Sequence, residues 1–376
     1  MRFYATLAST ILLLTAVSCS NDNEPTIKPD GPSRTILVYM VATNSLSDNV
    51  ADDIEEMMQG MTAVEGDDCH LLVYEANYNA DPMLYEITSA NGKTSISPLK
   101  TYQTTTSSAS VERMSEVISD AVATAPAESY GLVLWSHATG WVRVLESASK
   151  SSGTVRPADF ADDNGQWMTI SDLARAIPDG LFDFIYADAC YMGCIEIAYQ
   201  LRDKANYYIA SPTETLSPGM PYDENIPCFF KETADLVAAC QNTYNYYASR
   251  ASSATIALID CSKLEQTADL CHQIHSTTSV TEVNTSELQC YNRASRSTYF
   301  DFFQYTSLLA SPQQATELYD IANQLVPYKA ATAKFLTINI DPDHYSGLST
   351  YIMGTASDFN EQYYTTLDWY KRIYEQ

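Results

Sequence analysis

The segment that most constrains the fold covers residues 182–196, FDFIYADACYMGCIE. Its first six residues are an apolar run that predicts a buried strand, and this run stops at Asp188. A helical pattern begins near Met192, so we expect a strand–turn–helix unit with Cys190 in the turn. A side chain at the carboxyl end of a central strand lies in the crevice of an open α/β sheet. A helix that starts beside Cys190 would lower the pKa of its thiol and favour the nucleophilic thiolate.

A second predicted strand ends in the same way. Residues 131–135, GLVLW, are followed by SHATGW, so that His137 comes just after the strand and 53 residues before Cys190. An imidazole activates a thiol when the two side chains meet. A histidine about 50 residues upstream of the cysteine is also typical of one class of cysteine peptidases. We therefore predict a cysteine–histidine dyad.

Strands and helices alternate through the first two thirds of the chain, which indicates a mostly parallel six-stranded sheet with helices on both faces. The predicted strands are residues 35–42, 69–74, 130–136, 182–187, 207–210 and 254–260. The predicted helices are residues 46–61, 108–124, 169–177, 192–204 and 231–249. Residues 83–102 contain Asn91-Gly92 and predict a hairpin, whereas residues 142–165 and 211–227 are predicted loops.

The pattern changes after residue 260. Further helices are predicted at residues 263–277, 285–296, 299–309, 312–325 and 359–374, with a late strand or hairpin at residues 334–340 and 348–353. We therefore divide the folded chain into a main domain, residues 34–260, and a smaller, mainly helical subdomain, residues 261–376.

Composition excludes some classes of function. The net charge of −26 leaves no basic patch, which argues against nucleic-acid binding. We expect no metal and no cofactor. His272 and His275 lack further ligands at suitable spacing, and the acidic group Asp159, Asp162 and Asp163 lacks the glycine and glutamate of a calcium loop.

The amino terminus predicts export. Residues 7–17 are a largely apolar run of 11 residues, too short to span a bilayer, and residues 16–19, AVSC, resemble a bacterial lipobox. That resemblance implies a signal peptide over residues 1–18, acylation of Cys19 and a tether over residues 19–33. The expected location is the bacterial outer membrane or cell surface, with membrane contact through the lipid anchor alone. Ordinary secretion is the alternative, because Ala16 is a poor lipobox residue.

Three segments carry a resemblance to a known family. RTILVYMVA, YGLVLWSHATGW and DFIYADACYMGCIEIAYQL resemble the clostripain family of cysteine peptidases, a branch of the caspase-fold peptidases. The similarity extends over roughly residues 33–260, with a weaker match at residues 346–353, SGLSTYIM. It implies a caspase-like fold and hydrolysis of peptide bonds in a protein or peptide substrate. We expect a monomer.

The resemblance also implies roles for individual residues. Cys190 would attack the carbonyl carbon, His137 would protonate the departing amine, and the backbone N–H groups of Cys190 and Ala138 would bind the oxyanion. The family usually has glycine where this chain has Ala138, and a Cβ there would be costly if φ were positive. Cys194 is the competing nucleophile, but its expected place one turn into a helix favours core packing.

The same resemblance implies specificity and maturation. Asp188 would form the floor of a pocket that selects Arg or Lys, and Glu214 is a second candidate for its wall. Family members cut themselves after a basic residue in the region of residues 142–165, which makes Lys150 the candidate processing site and Arg143 and Arg156 its rivals.

A different class of function remains open from the sequence. The chain could be a catalytically silent, caspase-like surface lipoprotein that binds peptides or glycans. Two departures from the family pattern favour this alternative, Ala138 and Pro212, which stands where relatives more often carry glutamate.

Overall fold

The structure is a computed structural model that describes residues 33–66, 68–78, 80–142, 159–293, 297–355 and 358–375. Its strands are β1 (Arg34–Ala42), β2 (Cys69–Asn77), β3 (Met83–Ala90), β4 (Lys93–Thr101), β5 (Ser129–Trp135), β6 (Phe160–Asp163), β7 (Gln166–Met168), β8 (Phe182–Asp188), β9 (Ala205–Ala210), β10 (Thr255–Asp260), β11 (Phe300–Asp301), β12 (Tyr328–Ala331), β13 (Lys334–Phe335), β14 (Ile338–Asn339) and β15 (Ser349–Thr350). Its helices are α1 (Val50–Met61), α2 (Val111–Thr124), α3 (Ile170–Ala176), α4 (Ile195–Gln200), α5 (Tyr222–Phe229), α6 (Leu236–Ser249), α7 (Leu264–Thr277), α8 (Phe302–Leu309), α9 (Pro312–Leu325), α10 (Asp358–Tyr364) and α11 (Asp368–Tyr374).

One large sheet organises the molecule. Within the described residues it has nine strands in the order β12-β10-β9-β8-β5-β1-β2-β3-β4. Strands β9, β8, β5, β1 and β2 are parallel to one another, and the antiparallel β3–β4 hairpin extends the sheet beyond β2. At the other edge β10 runs antiparallel to β9 and β12 runs antiparallel to β10. The predicted mostly parallel, caspase-like sheet is confirmed, and all six predicted strands belong to it.

Both faces of the sheet are covered, as its near-continuous apolar strands require. Successive residues of a strand point to opposite faces, so β1 contributes to two hydrophobic clusters. One cluster joins Leu37, Tyr39 and Val41 to buried residues of α2, α3, α4 and α7. The other joins Ile36, Val38 and Met40 to α1, α5 and α6. The predicted helices on both faces are therefore present.

The carboxyl-terminal region shares the core of the main sheet. It supplies strand β12, and its buried residues Leu264, Leu318 and Trp369 lie in the same hydrophobic cluster as Leu37 of β1. It also contacts the turn after Cys190, because the Ser349 N–H donates a hydrogen bond of 2.9 Å to the carbonyl oxygen of Gly193. Residues beyond 260 thus support the edge of the sheet where β8 ends.

Local geometry confirms the predicted hairpin and shows how helix α3 begins. Asn91 and Gly92 both have positive φ, 54° and 69°, as a two-residue type I′ hairpin turn requires. The Thr169 hydroxyl accepts a hydrogen bond of 3.0 Å from the Asp172 N–H and caps α3. Among the described residues, every helix is too short or too polar to span a bilayer. Cys190, Cys194, Cys228, Cys240, Cys261, Cys271 and Cys290 are free cysteines.

Two other predictions are wrong. No α-helix occupies residues 285–293, where a single 3₁₀ turn, Thr285–Glu287, precedes irregular backbone. The reason is tertiary pairing, because Tyr291 donates a backbone hydrogen bond of 2.8 Å to Tyr299. The predicted loop at residues 211–227 contains the start of α5, whose buried face packs on α1.

Two further corrections concern helix boundaries and loops. The predicted helix at residues 359–374 is divided into α10 and α11. The last part of the predicted loop at residues 142–165 is strand β6, which pairs with β7 in a small hairpin. Asn164 and Gly165 form the turn between these two strands and have positive φ.

Candidate active site

Four neighbouring parallel strands end at the same edge of the sheet. In sheet order these are β9, β8, β5 and β1. Glu214 follows β9, Cys190 follows β8, His137 follows β5 and Ser45 follows β1. The carboxyl ends of parallel strands are where open α/β sheets form their clefts. The topology therefore gathers a carboxylate, a thiol, an imidazole and a hydroxyl from distant parts of the chain.

The register of β5 and β8 aligns the strand ends that precede His137 and Cys190. Trp135 at the end of β5 pairs with Asp188 at the end of β8. His137 and Cys190 each come two residues later, and adjacent strands are separated by about 4.8 Å. The two residues thus leave the sheet at the same height and on neighbouring strands.

The thiol of Cys190 is held by the loop after β9. The Thr215 N–H donates to Sγ at 3.3 Å, and Sγ donates to the Thr215 carbonyl oxygen at 3.5 Å. Burial raises the pKa of Cys190 to about 11, although the Thr215 N–H favours the thiolate. The nearby carboxylates of Glu214 and Asp188 raise this pKa further. Cys190 is therefore a neutral thiol near neutral pH.

The predicted helix-dipole effect on Cys190 is wrong. Helix α4 begins at Ile195 rather than near Met192, and it has only six residues. Cys190 lies in the preceding turn, where Tyr191 adopts a positive φ of 58° and donates its N–H to Thr213. Cys194 is the N-cap residue and not one turn into the helix, but it is fully buried in the core, as its expected packing role requires.

The ring of His137 is oriented by Ser45. The Ser45 hydroxyl lies 2.8 Å from Nε2, and this hydrogen bond leaves Nδ1 for a second partner. Burial lowers the pKa of His137, and the carboxylate of Asp162 opposes this only in part. The imidazole is therefore neutral near neutral pH and able to accept a proton. Ser45 was not predicted, although its position after β1 repeats that of His137 after β5.

Two backbone N–H groups face no partner of their own. Neither the Cys190 N–H nor the Ala138 N–H has an acceptor among the described residues. The backbone groups on either side of Ala138 are hydrogen-bonded. The Thr139 N–H donates to the Asp159 carbonyl oxygen, and the His137 carbonyl oxygen accepts from the Ala161 N–H, both at 3.1 Å. The φ of Ala138 is not positive, so its Cβ causes no backbone strain. The replacement of glycine by Ala138 therefore leaves this donor intact.

Asp188 lies beneath the cleft, 5% exposed. Its Oδ2 accepts hydrogen bonds from the Met220 N–H at 3.1 Å and the Tyr222 hydroxyl at 3.2 Å. Burial raises the pKa of Asp188 to about 6, although the two hydrogen bonds oppose this increase by stabilising the carboxylate. Gly219 packs directly on the carboxylate, since a Cβ there would lie 2.6 Å from Oδ2. At neutral pH Asp188 is mostly ionised.

A second buried carboxyl group lies close by. Asp53 on α1 accepts a hydrogen bond of 2.7 Å from Nε1 of Trp135, the register partner of Asp188. Burial and the charge of Asp188 raise the pKa of Asp53 to about 8. Asp53 is therefore mostly protonated at neutral pH, and the site has one buried negative charge rather than two. No sequence pattern marked Asp53.

The cavity that Asp188 lines is small. Its volume is about 20 Å³, which holds one water molecule and no Lys or Arg side chain. Asp188, Glu214, Thr215 and Tyr247 are among the residues that line it. Glu214 is not free, because Arg293 binds both of its oxygens, at 2.7 Å and 2.8 Å.

Other predicted site residues lie elsewhere. Lys150, Arg143, Arg156 and Cys19 fall outside the described residues. No three potential metal-binding side chains come together in the part of the chain that the structure describes. Of the residues set aside as metal ligands, His272 bonds the Ile373 carbonyl oxygen, His275 packs on Tyr374, and Asp163 accepts hydrogen bonds from Thr43, Ser107 and Ser108.

Comparison with known proteins identifies the family. A family model described as the clostripain family matches residues 38–376. The chain belongs to the clostripain family. It is therefore a cysteine peptidase, and the resemblance seen in the three sequence segments is confirmed. No curated protein matches the chain.

Solved structures of the clostripain family agree in fold. A structure of an inactive zymogen C11 protease from Parabacteroides distasonis is 33% identical, covers 93% of this chain and 100% of its own, and has a TM-score of 0.80. A secreted C11 cysteine protease from Bacteroides thetaiotaomicron, in complex with an irreversible peptide inhibitor, is 28% identical and has a TM-score of 0.79. It covers 92% of this chain and 100% of its own. A clostripain from Bacteroides thetaiotaomicron in complex with the peptide inhibitor BTN-VLTK-AOMK is 27% identical and has a TM-score of 0.52. It covers 57% of this chain and 98% of its own.

The raised pKa of Cys190 predicts slow alkylation at neutral pH. Only the thiolate reacts, so the rate of modification by iodoacetamide should rise about tenfold for each pH unit between about pH 7 and pH 10. Mass spectrometry of the peptide that contains Cys190 measures this rate, and the Cys290 peptide of the same digest serves as an internal reference. A rate that is already maximal at neutral pH would contradict the prediction and indicate a thiolate–imidazolium pair.

Proposed function

We propose that this clostripain-family peptidase hydrolyses peptide bonds through a dyad of Cys190 and His137, and that it cleaves after Arg or Lys. The observation that carries the proposal is the register of β5 and β8, which pairs Trp135 with Asp188 and brings the next residues of both strands to one cleft. The two unpartnered N–H groups, of Cys190 and Ala138, support the same reaction.

The neutral thiol and imidazole determine the order of proton transfers. Nδ1 of His137 takes the thiol proton as Sγ of Cys190 attacks the scissile carbonyl carbon. The resulting oxyanion accepts hydrogen bonds from the Cys190 and Ala138 N–H groups, and one such donor lowers the barrier by roughly 3 kcal/mol. The imidazolium then gives its proton to the leaving amine. Water, deprotonated by His137, hydrolyses the thioester and restores the thiol.

Selection of a basic residue would come from Asp188. Its carboxylate is buried and has no cationic partner among the described residues, so a substrate ammonium or guanidinium group would neutralise an otherwise costly charge. Glu214 lies on the wall of the same cavity and would add a second acceptor. The peptide bound to one relative ends in Lys, which supports this preference. The small cavity must widen before such a side chain can enter.

Export and anchoring belong to the proposal as well. Acylation of Cys19 after removal of residues 1–18 would hold a monomer at the bacterial outer membrane or cell surface, where its substrates are proteins or peptides. The alternative of a catalytically silent binding protein loses the support of Ala138, because the backbone there is unstrained and its N–H group has no acceptor among the described residues.

Substitution of either member of the dyad should abolish turnover. In Cys190→Ala and His137→Ala, kcat for fluorogenic Arg and Lys peptides should fall by at least about a thousandfold, since each removes a group that takes part in the chemical step. Cys228→Ala and His344→Ala are matched controls, a thiol and an imidazole distant from the cleft in sequence, and should retain activity. Turnover that persists in Cys190→Ala would overturn the assignment.

The pKa of Asp188 predicts the pH dependence of substrate binding. Below about pH 6 the carboxyl group becomes neutral, so KM for an Arg peptide should rise as the pH falls through this value. The matched substrate with citrulline in place of Arg carries no charge and should show no such rise. In Asp188→Asn the KM for the Arg peptide should be high and constant over this range. An unchanged pH profile in Asp188→Asn would assign the titration to another group.

Self-processing at Lys150 is tested by gel electrophoresis. Lys150→Ala should remain a single, poorly active chain, whereas Arg143→Ala and Arg156→Ala should still be cut, because each removes a basic residue of the same segment other than the proposed site. Cys190→Ala should also remain uncut. Prompt cleavage of Lys150→Ala would exclude this site.

A further inference from the structure

Arg293 forms a bidentate ion pair with Glu214 at the solvent-exposed side of the cavity that Glu214 lines. Its Nε lies 2.7 Å from Oε2 of Glu214, and its Nη2 lies 2.8 Å from Oε1. This geometry occupies both carboxylate oxygens and is the one in which guanidinium groups bind carboxylates most specifically. The charge of Glu214 is therefore neutralised by the protein itself.

The pair lies where a substrate side chain would enter. Glu214 lines the cavity above Asp188, and the next residue, Thr215, holds the sulfur of Cys190. Burial raises the pKa of the Cys190 thiol, and the positive charge of Arg293 opposes a small part of this increase, as expected of a guanidinium group near the cleft. The side chains of Arg293 and Glu214 are 39% and 24% exposed, so a substrate cation can reach the pair from solvent.

The loop that carries Arg293 is anchored to both turns that carry the dyad. Tyr299 closes this loop by accepting a backbone hydrogen bond of 2.8 Å from Tyr291. The ring of Tyr299 stacks on Tyr191, the residue after Cys190, at 5.1 Å and 11°. Its hydroxyl donates to the carbonyl oxygen of Thr139, two residues after His137. Arg293 is thus held over the cleft by a loop that contacts both turns.

We propose that Arg293 is a specificity-determining residue that competes with the substrate: it occupies Glu214, and a Lys or Arg side chain must displace it to bind there. This inference rests on the proposed preference for basic residues. It adds that Glu214 contributes to binding only after Arg293 leaves, and that entry of a basic side chain breaks an ion pair as well as widening the cavity. A neutral side chain gains nothing from breaking this pair.

The test compares Arg293→Ala with wild type on two substrates, an Arg peptide and the same peptide with citrulline. Loss of the competitor should lower KM for the Arg peptide about fivefold, the scale of a partly exposed ion pair, and leave KM for the citrulline peptide unchanged. The kcat should stay constant or fall slightly, because removal of the guanidinium group and release of the Glu214 charge both raise the pKa of Cys190. A purely structural role would reduce kcat for both substrates alike.

Three further variants control the experiment. Arg175→Ala removes another exposed, ion-paired arginine and should change neither KM. Arg293→Lys keeps the charge without the bidentate contact and should give an intermediate KM. In Glu214→Gln, the additional substitution Arg293→Ala should have no effect, because the group for which the two cations compete is gone.

Binding to Cys190→Ala, measured by calorimetry with the Arg peptide, gives a readout independent of turnover. Here Arg293→Ala should tighten the dissociation constant by the same factor. Suppose that the wild type prefers the Arg peptide to the citrulline peptide, but that substitution of Arg293 changes neither KM nor affinity. This result would overturn the proposed competition and leave the proposed specificity intact. Absence of any preference for Arg in both wild type and Arg293→Ala would overturn the competition together with the proposed specificity.

Discussion

The parallel pairing of β9, β8, β5 and β1 is the constraint on which the site depends. Because these strands run in the same direction, their carboxyl ends meet at one edge, and the pairing of Trp135 with Asp188 fixes the relative height of His137 and Cys190. A shift of register by one residue would turn the apolar side chains of β5 or β8 from one face to the other. The hydrophobic clusters on both faces therefore hold the register that sets the positions of His137 and Cys190 along the sheet edge.

Charge in the cleft is kept low by burial. Cys190 and His137 are both neutral near neutral pH, because desolvation shifts their pKa values in opposite directions. Of the two carboxyl groups below them, Asp53 is mostly protonated and Asp188 mostly ionised. Cys190 is therefore a neutral thiol, not a thiolate, in the resting site.

Residues far along the chain complete the support of the cleft. Ser349 bonds the Gly193 carbonyl oxygen, and the buried carboxylate of Glu196 accepts hydrogen bonds from the Thr350 hydroxyl at 2.8 Å and the Tyr351 N–H at 2.9 Å. Tyr299 joins the two turns that come after β5 and β8. The carboxyl-terminal region is thus part of the catalytic architecture, which agrees with a family model that extends to residue 376.

Local patterns predicted most of this fold. Apolar runs located the six strands, Asn91-Gly92 located a hairpin, and polar residues at the ends of buried strands located His137 and Cys190. Predictions failed where a distant partner decides the backbone, as in residues 285–293, which pair with the segment before β11 rather than form a helix. They failed also at Cys190, whose thiol is governed by burial and by Thr215 rather than by a helix.

The sequence by itself determined the order of the chemical groups along the chain: a histidine after one buried strand, a cysteine after another, and Asp188 two residues before the cysteine. Only the tertiary structure decided that Ser45 orients the imidazole, that burial raises the pKa of Asp53, and that Arg293 binds Glu214. The physical reason is range. Periodicity and turn preferences act between residues close in sequence, whereas hydrogen bonds, ion pairs and desolvation depend on which distant side chains the folded sheet brings together.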